Sequence, residues 1–128
     1  MNNLIPHLPD PLNNIFIEMR PGDHKDFGAA PDYPLKGVIF MTEYGYLPSY
    51  TGEDGAALDF FVGSKLDGLC GSFTVYRPEL KNGEHKFYVC MGEEDLAATL
   101  KEYEPVVVKH EPLEGMAELL SKIEQFKG

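Results

Sequence analysis

Residues 14–20 alternate, with Ile15, Ile17 and Met19 on one face and Glu18 on the other, the period of a half-buried β-strand. Pro21-Gly22-Asp23 ends that run as a turn. Residues 26–34 are rich in Gly, Ala, Pro and Asp and read as a loop, and residues 35–41 predict a second strand centred on Val38, Ile39 and Phe40. Over residues 42–57 Gly, Pro, Asp, Glu and Tyr interleave closely, a mixture too polar for a core element and too aromatic for a plain linker. Residues 58–63 predict a short strand directly after it. Two further strands, 71–77 and 84–91, flank Asn82-Gly83, a strong hairpin signal.

The period changes after Met91. Leu96, Leu100 and Tyr103 have helical spacing, and acidic residues occupy the first turn, where the helix dipole favours them. Pro105 opens a short strand over 106–108. Met116, Leu119, Leu120, Ile123 and Phe126 then mark one face of an amphipathic C-terminal helix. No repeat or composition shift divides the chain, so residues 1–128 read as a single domain. Five or six short strands with helices gathered late predict an α+β fold, the sheet closed into a small barrel.

Charge narrows the function. The 21 acidic residues against 11 basic ones leave a net charge of −10, which argues against a nucleic-acid binder and suits a protein that gathers cations, although solubility alone would also explain it. No stretch reaches the roughly 20 apolar residues of a membrane span, and the N-terminus lacks the pattern of a signal peptide, so the cytoplasm is the expected compartment. Cys70 and Cys90 sit in strand contexts without metal-ligand spacing and are expected to be small buried thiols.

Candidate chemistry concentrates near Asp54 and Asp59. They bracket the turn Asp54-Gly55 at the mouth of a strand, so their carboxylates can converge on one hard cation such as Mg²⁺. Glu43 and Glu53 add negative charge, and Tyr44 and Tyr50 offer hydroxyls. Asp-Gly is also a common turn, and an acidic loop is commonly just solvated. Phe60, Phe61, Phe73 and Phe87 are read as core. His85 is read as an exposed strand residue, Arg77 as either a structural ion pair or a phosphate contact, and His7, His24 and His110 have no assigned role.

The run Tyr44-Gly45-Tyr46-Leu47-Pro48, followed by Asp54-Gly55 and Leu58-Asp59, resembles the pattern of the soluble inorganic pyrophosphatases. Ile15-Phe16-Ile17-Glu18, Gly71-Ser72 to Arg77-Pro78, Gly83-Glu84-His85-Lys86 and residues 118–124 are similar to that family's other elements in order along the chain. The resemblance implies a five-stranded OB-like closed barrel with helices alongside, and Mg²⁺-dependent hydrolysis of pyrophosphate or another small phosphorylated substrate. Asp54, Asp59, Glu18 and Glu84 would then hold metal, and Tyr44 and Lys86 would contact phosphate, with Lys25 and Lys36 as weaker basic candidates. It is also compatible with a homo-oligomer, and implies neither nucleic-acid nor membrane partners.

The chain departs from that pattern at Ala56, where the family keeps a middle aspartate that binds metal and takes the proton of the attacking water. Glu53 or Glu43 is the nearest substitute. Near Arg77-Pro78 the family's first aspartate has no clear counterpart, Glu79 being the nearest acid, and the family's Tyr-Lys pair beyond the last helix is missing. A catalytically impaired homologue that binds metal or phosphate is therefore the rival reading.

Overall fold

The computed structural model describes residues 4–27 and 33–128. The alternating run forms β1 (Phe16–Met19), with Glu18 exposed and its neighbours Ile17 and Met19 partly buried. After the Pro21-Gly22 turn come β2 (His24–Asp26) and, beyond residues 28–32, β3 (Gly37–Ile39), which pair only with each other as a two-stranded ribbon. The loop read over 26–34 thus lies largely outside the described residues, and β2 begins before it. β4 (Glu43–Thr51), β5 (Ala57–Val62), β6 (Leu69–Arg77), β7 (Leu80–Met91) and β8 (Val107–Leu113) complete the strands, with α1 (Glu93–Glu102) and α2 (Met116–Ile123) placed where the helical spacing predicts them.

The α+β class holds, but the closed barrel does not form. Six strands make an open sheet in the order β1-β4-β5-β7-β6-β8, so β1 and β8 are its two edges. Phe60 and Phe61, adjacent in β5, are both fully buried although a strand sends them to opposite faces. Each contributes about 1.5–3 kcal/mol by burial, so both faces need a cover. On one face Tyr44, Phe61, Phe73 and Tyr88 pack against Val38 of the ribbon, Leu96 of α1 and Tyr103 just beyond it. On the other, Leu58, Phe60, Phe87 and Val89 pack against Leu119 and Ile123 of α2 and against Leu8 and Leu12 of the N-terminal turns. Cys70 and Cys90 are free and buried, as expected.

Two local readings are corrected. Residues 43–51, set aside as too polar for the core, form a strand inside the sheet between β1 and β5. Two of its buried polar side chains have long-range partners: Arg20 meets Glu43 at 3.2 Å, and Lys86 meets the Tyr44 hydroxyl at 2.9 Å. Gly45 lets β1 pass close above it, since a Cβ there would lie 1.7 Å from the Phe16 carbonyl oxygen. The β6–β7 hairpin turns at Pro78-Glu79, between paired Arg77 and Leu80, rather than at Asn82-Gly83. Gly83, at φ +73°, instead serves a bulge next to the Val75–Glu84 pair, where register shifts. Among the described residues no helix is long and apolar enough to cross a membrane.

Candidate functional site

Asp59 of β5 stands in register with Lys86 on the parallel β5–β7 pair, and Tyr44 of β4 is one pair further along the same face. Lys86 Nζ donates to Asp59 Oδ2 at 3.0 Å and to Tyr44 Oη at 2.9 Å. Its ammonium also lies 5.2 Å from the Tyr44 ring centre and 5.8 Å from that of Tyr103. Burial works against charge on Lys86, but the Tyr44 oxygen and the Asp59 carboxylate hold its pKa well above the usual range. Burial likewise raises the Tyr44 hydroxyl, which stays protonated. Having accepted from Lys86, Tyr44 can still donate its own proton to a ligand, and Lys86 keeps a third N–H.

These groups line a cavity of about 460 Å³ that also takes in Glu18, Lys25, Asp54, Ala56, Arg77, Glu79 and Glu84. Glu18 arrives there at the β1 bulge, where register shifts between Ile17 and Met19. Asp54 comes from the β4–β5 turn, its Oδ1 accepting the Ala56 N–H at 3.0 Å and leaving Oδ2 for a ligand. Glu84 is buried beside them. Its pKa rises to about 7, first through burial and then through the negative charge of Asp59 and Asp54, with Lys86 opposing. Arg77 bridges Glu84 and Glu79, at 2.8 Å each, so its guanidinium is an ion-pair partner.

Seven of the eight residues singled out from the sequence thus line one cavity: Glu18, Lys25, Tyr44, Asp54, Asp59, Glu84 and Lys86. Lys36 does not join them. It borders a separate depression with His24, Asp26 and Glu102, because the β2–β3 ribbon carries Lys25 and Lys36 to different places. Neither acid considered as a substitute for the missing aspartate reaches the cavity lining. Glu43 is buried with Arg20 at another depression, and Glu53 pairs with His85. His85 is accordingly half-buried rather than exposed. Tyr33 and Tyr103 also line the cavity and were not foreseen, since Tyr103 continues the apolar stripe of α1 and Tyr33 lies in a loop without periodicity.

The donor set fits a hard divalent cation. Carboxyl groups of Asp54, Asp59 and Glu84 share one cavity, and burial, followed by the negative charge of Asp59 and Asp54, favours the protonated form of Glu84, a cost that a cation would relieve. Among the described residues no three acidic, His or Cys side chains form a ready cage. An ion of the Mg²⁺ class, which keeps several waters, needs only one or two carboxylates together with substrate oxygens. Comparison with protein-family models, with curated proteins and with solved structures finds no match.

Proposed function

We propose that this protein is a Mg²⁺-dependent phosphoanhydride hydrolase with pyrophosphate as its default substrate, acting in the cytoplasm. The observation that carries the reading is the convergence of Tyr44, Asp54, Asp59, Glu84 and Lys86, drawn from three strands and a turn, on one cavity. The likeness of the Tyr44-to-Asp59 motif to soluble inorganic pyrophosphatases also supports it, although the closed barrel implied by that likeness does not form.

Asp54, Asp59 and Glu84 would hold the cation, whose chemistry when bound is Lewis-acid polarisation of the phosphoryl oxygens. Lys86 and the Tyr44 hydroxyl supply positive charge and a hydrogen bond to a phosphate oxygen from a site that excludes much of the water, where such contacts are strongest. Lys25 and Glu18, at the exposed rim, meet the hydrated part of the ligand. A second reading, a binder of metal or phosphate without turnover, is favoured by one observation: the cavity wall carries Ala56 where a proton acceptor is needed, and Glu53 is held by His85.

The purified chain with millimolar Mg²⁺ should release phosphate from pyrophosphate. No release above a blank with Mg²⁺, Mn²⁺ or Zn²⁺ would overturn the hydrolase reading. Binding of Mn²⁺ without release would select the second one.

A further inference from the structure

We propose that Glu53 is a positioning residue, a latch that fixes the acidic turn against β7 and so sets the cation affinity of the cavity. This rests on the functional reading above.

The turn joining β4 to β5 is closed from within. Gly52 N–H donates to the Ala56 carbonyl at 2.8 Å, Gly55 N–H to that of Gly52 at 3.1 Å, and Ala56 N–H to Asp54 Oδ1 at 3.0 Å. At its base Thr51 pairs with Ala57. These bonds define the shape of the turn but not where its tip stands relative to β7. Glu53 supplies that tie. Its carboxylate accepts the His85 backbone N–H at 3.1 Å through Oε1 and meets the His85 ring Nδ1 through Oε2.

His85 is a firm anchor. Its ring stacks on Phe87, with ring centres 6.1 Å apart, and packs on Phe126 at 5.7 Å. Its chain neighbours are Glu84 and Lys86, both buried cavity residues. Glu53 therefore connects the residue before Asp54 to the residue between Glu84 and Lys86. Asp54 of the turn and Glu84 of β7 line the same cavity, so the place of the turn against β7 decides how closely their oxygens are gathered. The latch fixes that place, so the ligand oxygens are already gathered when the ion arrives and less ordering is needed on binding.

The test is a Mn²⁺ titration of the chain, without substrate, followed by electron paramagnetic resonance, with thermal midpoints recorded for every variant. Glu53→Ala should weaken Mn²⁺ binding by roughly 10–100-fold, the usual effect of losing a residue that supports a ligand. Glu53→Gln keeps an oxygen for the His85 N–H and should stay within about threefold of the parent, well inside that loss. Because Glu53 acts through Asp54, adding Glu53→Ala to Asp54→Asn should produce no further loss. Equal losses in both backgrounds, no loss in the single variant, or Glu53→Gln behaving as Glu53→Ala would overturn the latch. A parent chain that binds no Mn²⁺ would instead overturn the functional reading itself, and this role with it.

Discussion

Lys86 Nζ stands 3.0 Å from Asp59 Oδ2 across the parallel β5–β7 pair, where the two residues are direct register partners. One is buried and the other nearly so. A parallel neighbour 27 positions away in the chain thus neutralises the carboxylate most central to the candidate site. Replacing Lys86 with Met should cost on the order of 3 kcal/mol in urea unfolding, the lower end for a broken buried pair because Asp59 keeps some solvent. Asp59→Asn keeps an oxygen for Lys86 but leaves its buried ammonium without a countercharge, so it should also lose stability, and phosphate release should be lost entirely. A variant Lys86→Met as stable as the parent would show that the pair is not a structural element.

Ala56 lines the cavity on an exposed turn, so an added carboxylate there has room and faces the other acids. Ala56→Asp should raise the rate of phosphate release by about 10²-fold, the lower range for a restored general base. Steady-state assays at saturating Mg²⁺ would read it. An inert variant would show that the lack of a carboxylate at position 56 is not what limits the rate.

Gly45→Ala would drive a methyl to 1.7 Å from the Phe16 carbonyl oxygen. Backbone cannot yield that far without β1 leaving the sheet, so a loss of about 3 kcal/mol or more is expected. Amide exchange should rise selectively across β1, and Glu18 should leave the cavity with it. Uniform exchange behaviour in the variant would contradict this.

Glu84 couples the site to pH. Its folded pKa, about 7, lies above the ordinary 4.5, so the folded state binds the extra proton between those values. Stability should therefore fall as pH rises from 4.5 to 7 and level off above. Glu84→Gln removes the titration, and its melting temperature relative to the parent should rise through the same window. Saturating Mg²⁺ should flatten the decline in the parent. A difference independent of pH would refute the coupling.

Much of this was readable from local pattern. Both helices, the β1 alternation and the aromatic core of β5 to β7 follow from spacing, because each element buries a face whose period is written in consecutive residues. Seven site residues were named for their chemistry and order along the chain. Residues 43–51 were misread because the partners of their buried polar groups are distant in sequence, Arg20 for Glu43 and Lys86 for Tyr44. Tyr103 was hidden because its spacing is that of an ordinary core position. Lys36 looked equivalent to Lys25 until the ribbon separated them.

Sequence alone determined the class of elements, the acidic balance and the residue types able to hold a cation and a phosphate, since propensity, charge and donor chemistry are local properties. Tertiary structure decided that the sheet stays open, that Asp59 is neutralised by Lys86, and that Glu53 turns away from the chemistry toward His85. Those outcomes depend on strand order and register, and register is set by which faces find a cover, a long-range property no window of neighbouring residues contains.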